Sequence, residues 1–326
     1  MDRRAFIFFL ASAAGLVSPA AADRKKAKIG WLDWFPPGVK PYLDYFRDQM
    51  RQFGYVEGKD YELEAEFVDG NREAAVNAAR KFVQEPVDVL VASATPAIHV
   101  AKEATDKIPI VMITANALAA GLVQSLAHPG GNLTGVSLLM TDVAGKRLEL
   151  LRNIRPTIRK VAFLGSTGDI KAADSNVTLS ETFVHEAQAA ATLLGVKLSV
   201  YRIARPSAIE QAIFEAMKAD DCEAVIVQPI FTGLQDKVVP MAMNAGLPVV
   251  ADFSVFADAG ALLTYGANQQ SLTRRTAYYV ERILKGTKPA DLPIEQPTEL
   301  ELVINRRTAE QLGWTIPQDV LIRPIA

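Results

Sequence analysis

Short apolar runs alternate regularly with longer amphipathic stretches along most of this chain, and this pattern restricts the folds that it can adopt. Residues 87–92 form an apolar run rich in β-branched side chains, which is typical of a strand buried on both faces of a parallel sheet. The first part of the chain contains four predicted strands, each separated from the next by a helical stretch, at residues 28–32, 61–68, 87–92 and 108–113. Because strands separated by helices pair in parallel through right-handed crossovers, we predict a helix-covered parallel sheet.

A second series of the same kind follows, so we predict an α/β fold of two doubly wound parallel-sheet lobes joined by a hinge. Its predicted strands lie at 160–164, 197–201, 224–227, 247–250 and 301–304. Its predicted helices lie near 142–154, 178–194, 207–218 and 233–245. The extended stretches 133–137 and 261–266 are interpreted as crossings between the lobes. We assign residues 23–137 and 266–290 to the N-terminal lobe, and residues 138–265 and 291–326 to the C-terminal lobe.

Residues 1–22 have the pattern of a secretory signal peptide. Arg3 and Arg4 give a positive start, residues 5–17 are apolar, and Ala20 to Ala22 form a small-residue cleavage site. The apolar run is too short for a stable membrane span. We therefore predict export to the periplasm, by either the general secretory or the twin-arginine route.

Charge and cysteine content limit the partners of the chain. The formal net charge of −2 argues against nucleic acid and against an anionic membrane surface as partners. Cys222 is the only cysteine, so no intramolecular disulfide can form. We expect a monomer that binds a small molecule.

The loop after the third predicted strand is a candidate anion site. In open α/β sheets, ligands bind beyond the carboxyl ends of the strands, and a helix N-terminus there suits a carboxylate. Ser93, Thr95 and Ala97 would offer hydroxyl and backbone N–H groups to such a ligand. Thr95 is predicted to cap the following helix, with Pro96 at its first position.

Other strand ends supply candidate polar contacts. A ligand ammonium group would pair with a carboxylate, and Asp252 is the first candidate for this role. Asp169 is a second candidate, and Asp33 is a weaker one because aspartates in loops often form turns. Asn116 and Gln228 could make neutral polar contacts with a ligand.

Aromatic residues at strand ends indicate a planar or aromatic ligand. Trp34 and Phe35 lie in the loop after the first strand, where exposure without a partner would create an apolar patch. Tyr265 lies at a predicted crossing, and we expect all three rings to stack on the ligand. Trp31 lies within the strand and is interpreted as a core residue.

No pattern of residues indicates catalysis, a metal or a cofactor. The three histidines, His99, His128 and His185, lack the spacing of metal ligands such as HExxH. The chain contains no GxSxG elbow and no phosphate-binding glycine motif after a strand. We therefore expect a binding protein that needs no cofactor, rather than an enzyme.

Several segments in order along the chain resemble the substrate-binding proteins of bacterial ABC importers, in the subfamily that includes tryptophan and other aromatic amino-acid binders. These segments include Gly54 to Lys59, Thr95-Pro96-Ala97, Gly121-Leu122-Val123, Pro129 to Gly135, Lys146 to Leu151, Ile283 to Gly286, Pro289 to Pro293, Glu295 to Thr298 and Glu301 to Asn305. The resemblance implies a type I periplasmic binding protein fold. It also implies an amino-acid-like or aromatic carboxylate ligand, and delivery to an inner-membrane ABC permease with its cytoplasmic ATPase.

The chain departs from this subfamily after the fourth predicted strand. Many relatives have an acidic residue and a proline there, whereas this chain has Asn116 and Ala117. A carboxylate that could pair with a ligand ammonium is thus absent at this position.

Two other functions remain compatible with the same fold. A periplasmic sensor would pass its ligand state to a membrane receptor, and a receptor kinase encoded nearby would favour it over an importer. A periplasmic hydrolase would turn its ligand over instead of only binding it. A cytoplasmic repressor is disfavoured by the signal peptide and by the lack of a helix-turn-helix before residue 28.

Overall fold

The computed structural model describes residues 26–37, 40–138, 140, 143–167, 179–297, 299–318 and 320. The predicted signal peptide and Asp169 lie outside the described residues. Among those described, no helix combines the length and the apolar character that crossing a membrane requires.

The first lobe is built on a five-stranded parallel sheet with the order β2-β1-β3-β4-β5. Its strands and the helices between them are β1 (Ala27–Asp33), α1 (Lys40–Gln52), β2 (Tyr61–Phe67), α2 (Arg72–Gln84), β3 (Val89–Ser93), α3 (Thr95–Ala104), β4 (Ile110–Thr114) and β5 (Leu133–Ser137). All five residues of β3 are buried, as expected for a central strand covered by helices on both faces.

The second lobe is built on a six-stranded sheet with the order β11-β10-β9-β8-β6-β7. The strands and helices that follow β5 along the chain are α4 (Ala144–Ile154), β6 (Lys160–Ser166), α5 (Leu179–Leu194), β7 (Lys197–Ile203), α6 (Gln211–Ala219), β8 (Ala224–Val227), α7 (Gln235–Asn244), β9 (Val249–Ala251), α8 (Ser254–Asp258), β10 (Leu263–Ala267), α9 (Gln269–Leu284), β11 (Leu300–Ile304) and α10 (Arg306–Gln311). Helix α9 returns to the first lobe and packs against α1 and β5. The predicted α/β fold of two doubly wound sheets is confirmed.

Three local predictions were wrong. Residues 133–137 are not a crossing but the edge strand β5, which pairs with β4 through hydrogen bonds that the local sequence does not reveal. Residues 261–266 likewise belong mainly to β10, which pairs with β9. The last strand, β11, runs antiparallel to β10, because the chain re-enters the second sheet from the first lobe.

The chain crosses between the lobes next to β5 and β10. The first crossing follows Ser137, and the second passes through Asn268, whose side chain caps α9 by accepting a hydrogen bond from the N–H of Ser271 at 2.9 Å. The third crossing runs beside β5, where the N–H of Ser137 donates to the carbonyl of Glu295 at 2.9 Å. Because all three crossings lie at one edge of the sheets, the opposite edges form the mouth of the cleft.

Candidate functional site between the lobes

A cavity lies between the two lobes, at the carboxyl ends of strands from both sheets. The empty space between its walls amounts to about 840 Å³, including the part that opens to solvent. The first lobe lines it with the ends of β1, β3 and β4 and with α1, α3 and α9. The second lobe lines it with α5 and with the segments that follow β8 and β9.

The lobes touch each other at the mouth of the cleft. The hydroxyl of Ser207, after β7, donates a hydrogen bond to the carboxylate of Asp69, after β2. Beside this contact, the Cα of Gly70 faces the ring of Pro206. The cavity is thus bounded by the crossings on one side and by this contact on the other.

Aromatic side chains form much of the cavity wall. Both lobes contribute, and the rings belong to Trp31, Trp34, Phe35, Tyr42, Phe183 and Phe253. Trp31, which was interpreted as a core residue, is 1% exposed and packs edge-on against Phe46 at 5.4 Å between ring centroids, yet it also lines the cavity. Rings that face one another across a cavity suit a planar or aromatic ligand, which stacks between them or meets their edges.

The start of α3 projects into the cavity in a strained backbone conformation. Ala94 has φ +71°, which is uncommon for a residue with a Cβ and costs about 1–3 kcal/mol. The strain is held by the N–H of Ala94, which donates to the carbonyl of Ile113 at 2.9 Å. This turn points the first residues of α3, with the partial positive charge of the helix N-terminus, at the cavity.

The prediction that Thr95 caps α3 was wrong. Ala94 is the cap residue, and no side chain accepts a hydrogen bond from the first turn there. The hydroxyl of Thr95 instead makes a hydrogen bond of 2.8 Å with the hydroxyl of Thr114, at the end of β4. Thr95 therefore ties the start of α3 to the neighbouring strand while it lines the cavity.

Uncharged polar groups complete the lining. The side chain of Gln228 accepts a hydrogen bond from the N–H of Ser166 at 3.2 Å, which orients its amide at the end of β8. The amide of Gln269 donates to the hydroxyl of Tyr42, which links α9 to α1. Together with Ser93, these groups offer both donors and acceptors to a bound molecule.

Asp33 lies buried directly behind the wall of the cavity. Its carboxylate accepts hydrogen bonds from the indole N–H of Trp31 and from the backbone N–H of Phe35, both at 3.0 Å, and from Ser93. Burial nevertheless raises the pKa of Asp33 to about 6, because these neutral donors replace only part of the lost hydration.

Asp252 occupies a different environment from the one expected for a ligand contact. It is buried and forms an ion pair with Arg147 of α4, whose Nε also donates to the carbonyl of Tyr265 at 2.8 Å. Burial raises the pKa of Asp252 and lowers that of Arg147, while the charge of each partner opposes both shifts. The pair joins α4 to β9 and β10, close to two of the crossings between lobes.

Of the predicted ligand contacts, five line the cavity: Trp34, Phe35, Ser93, Thr95 and Gln228. Four others lie outside its lining: Ala97, Asn116, Asp252 and Tyr265. Ala97 is fully buried within α3, and Asn116 accepts a hydrogen bond from the N–H of Ala119 at 3.0 Å in a turn.

Sequence reasoning missed the residues that helices contribute. Tyr42, Phe183, Gln269, Leu272 and Thr273 line the cavity from α1, α5 and α9. Helical spacing indicates which residues share a face, but it does not indicate which face meets the other lobe. Within the part of the chain that the structure describes, no cluster of three or more histidine, cysteine or acidic residues could hold a metal ion.

Known proteins resemble this chain over most of its length. The family model for ABC transporter substrate-binding proteins matches residues 37–326. A tyrosine-binding protein of Clostridioides difficile (strain R20291) is 25% identical over 268 residues, which are 82% of this chain and 75% of that protein.

Two solved structures superpose closely on this fold. A conserved domain protein from Vibrio cholerae is 28% identical, with a TM-score of 0.80 over 92% of this chain and 98% of the other. The ABC domain from Streptococcus pneumoniae, solved in complex with L-Trp, is 26% identical, with a TM-score of 0.78 over 91% of this chain and 98% of the other. The fold expected from the sequence resemblance, that of a type I periplasmic binding protein, is confirmed.

Proposed function

Since the chain belongs to the ABC transporter substrate-binding protein family, we propose that it captures a small aromatic ligand, of the amino-acid or aromatic carboxylate class, between its two lobes. The family resemblance drawn from the sequence motifs is confirmed. The family and the similar proteins bind solutes, which agrees with the expectation that the chain is not an enzyme.

One observation carries the proposal: the cavity between the lobes is walled by aromatic rings from both of them. Trp34 and Phe35 approach from the first lobe, and Phe183 and Phe253 from the second. A ligand that contacts both walls stabilises the closed arrangement over an open one, which is how binding would be reported to a partner. A tyrosine-binding relative and a tryptophan-bound structural neighbour support an aromatic ligand.

The start of α3 supports a carboxylate on the ligand. A carboxylate there would meet the positive end of the helix, whose first residues line the cavity. Gln228 faces this region from the second lobe and could donate its amide N–H groups.

The proposal can be tested by thermal shift and calorimetry on the chain without residues 1–22. We expect L-tryptophan, L-tyrosine, L-phenylalanine or an aromatic carboxylate to stabilise the protein, by about 2.7 kcal/mol at a concentration of 100 Kd. L-Leucine and L-arabinose serve as controls that lack an aromatic ring. If none of the aromatic compounds stabilises the protein, the proposal is overturned, whether or not the controls do so.

We further propose that the protein works in the periplasm and delivers its ligand to an ABC permease with its ATPase. The pattern of residues 1–22 supports export, and the family supports the transport role. Deletion of the gene should abolish ligand uptake by whole cells, and cell fractionation should find the protein in the periplasm. Unchanged uptake, together with ligand-dependent signalling through a membrane receptor, would favour a sensor.

A further inference from the structure

Asp33 is a buried carboxylate that lacks a cationic partner. It is 1% exposed, and its hydrogen-bond donors are an indole, a backbone amide and a hydroxyl, all neutral. Among the described residues, no cation acts on it. A buried charge without a counter-charge is unfavourable, so a positive group placed nearby would stabilise it.

The cavity is the place from which such a positive group could act. All three residues that hold the Asp33 carboxylate, namely Trp31, Phe35 and Ser93, line the cavity. The carboxylate is thus separated from the cavity by a single layer of side chains. In this poorly solvated environment, an attraction between charges persists across such a layer.

No described residue in the lining of the cavity carries a positive charge that balances the negative charge of the Asp33 carboxylate. The described residues that line the cavity carry no charged side chain. Asp252 is the other buried carboxylate in the vicinity, but Arg147 balances its charge. Tyr42 lines the cavity, and its pKa is raised well above the usual range, first by burial and then by the negative charges of Asp33 and Asp252. This end of the cavity is therefore negative and favours a cation.

We propose that Asp33 determines specificity for ligands that carry an ammonium group, and that it orients the ammonium towards Ser93 and Tyr42. The inference rests on the proposed function, because it assigns one end of the same ligand. The aromatic rings bind the apolar part of the ligand in either case. What Asp33 adds is a preference for an amino acid or amine over the corresponding molecule without the amino group.

The test compares three indole probes on the wild-type protein and on Asp33→Asn. L-Tryptophan and tryptamine carry an ammonium group, whereas indole-3-propionate does not. We expect Asp33→Asn to weaken the two ammonium probes by about 10- to 100-fold and not to weaken indole-3-propionate, whose carboxylate would be repelled less once the Asp33 charge is gone. The matched control is Asp88→Asn, which removes the same charge before β3, where Asp88 accepts a hydrogen bond from the N–H of Lys28 at 2.7 Å. This control should leave the relative affinities of the probes unchanged.

A second measurement needs no variant and remains informative if Asp33→Asn does not fold. The wild-type affinity for tryptamine should fall as the pH is lowered from about 7.5 to 5, because Asp33 takes up a proton and loses its charge. The affinity for indole-3-propionate should not fall in the same way. The hydroxyl of Tyr42 lies within the influence of both Asp33 and Asp252 and stays neutral throughout this range, because its pKa is raised well above the usual value, and Asp252 is held in its ion pair with Arg147.

The outcomes separate this inference from the proposed function. If the wild-type protein binds the probes but Asp33→Asn weakens all three equally, or if tryptamine binding does not vary with pH, the assignment of Asp33 is wrong. If no aromatic ligand binds the wild-type protein at all, the proposed function itself fails.

Discussion

Removal of the Asp252 carboxylate should destabilise the protein without removing a ligand contact. Asp252→Ala would leave Arg147 buried, with its side chain 2% exposed and its ion-pair partner gone. Of the hydrogen bonds to Arg147, the one from Nε to the carbonyl of Tyr265 would remain. A buried charge that loses its partner typically costs about 3–5 kcal/mol, a large fraction of the roughly 5–15 kcal/mol by which a protein is stable.

The same geometry sets the expected result for the double substitution. Arg147→Met with Asp252→Leu removes both charges and fills the site with apolar atoms. Because no unpaired charge remains, we expect the double variant to be within about 1–2 kcal/mol of the wild type. The matching single variants, Arg147→Met and Asp252→Leu, should each be less stable than the double, which gives a coupling far larger than that of an exposed ion pair.

Denaturant unfolding monitored by tryptophan fluorescence measures these differences. The denaturation midpoint should fall for the single variants, with the slope m unchanged. Asp252→Ala, studied at a temperature where it is folded, should bind the aromatic ligand within about threefold of the wild type. A cost below about 1 kcal/mol for Asp252→Ala would contradict this expectation, and so would a double variant in which the losses of Arg147→Met and Asp252→Leu simply add.

Three further outcomes follow from individual residues. Because burial raises the pKa of Asp33 to about 6, its contribution to stability is present below about pH 4 and is lost as the pH rises through 6. Between pH 5 and 8 the wild type should therefore lose about 1.4 kcal/mol of its free energy of unfolding relative to Asp33→Asn, since one pKa unit corresponds to about 1.4 kcal/mol, and denaturant titrations at both pH values measure this difference. Gly135→Ala should cost more than about 2 kcal/mol, because its Cβ would lie 2.2 Å from the carbonyl oxygen of Met112 at φ +134°, whereas Gly131→Ala, in open space at φ +63°, should cost about 1 kcal/mol; equal losses would contradict this. Phe35→Ala should weaken an aromatic ligand by about 30-fold in calorimetry with little change in melting temperature, since the ring is only half-buried, and unchanged affinity would remove Phe35 from the site.

The order of the predicted strands and helices came close to that of the structure, since it depends on neighbours in sequence. Strands such as Val89–Ser93 can be predicted from the sequence, because a strand buried on both faces needs a continuous apolar segment. Helix α8, of five residues, escaped prediction because it is too short to show helical spacing. The edge strand β5 was mistaken for a crossing, since only its pairing with β4 distinguishes the two.

The residues around the cavity were predictable only where they follow strands. Trp34, Phe35, Ser93 and Gln228 line it because the carboxyl ends of parallel strands open onto a common cleft, which a sequence of alternating strands and helices already implies. Gln269 was not predictable, because its position follows from the return of α9 to the first lobe.

The alternating α/β architecture, the family and the aromatic strand-end loops could all be predicted, because they depend on residue type and local spacing. The roles of the buried charges could not, because they depend on contacts between distant parts of the chain. Asp33 and Asp252 both follow predicted strands and look alike in the sequence, and the sequence favoured Asp252 as the ligand contact. Folding brings Arg147 against Asp252 and leaves Asp33 behind the cavity wall with neutral donors alone. The role of a buried carboxylate depends on which distant group packs against it, and that is a property of the fold.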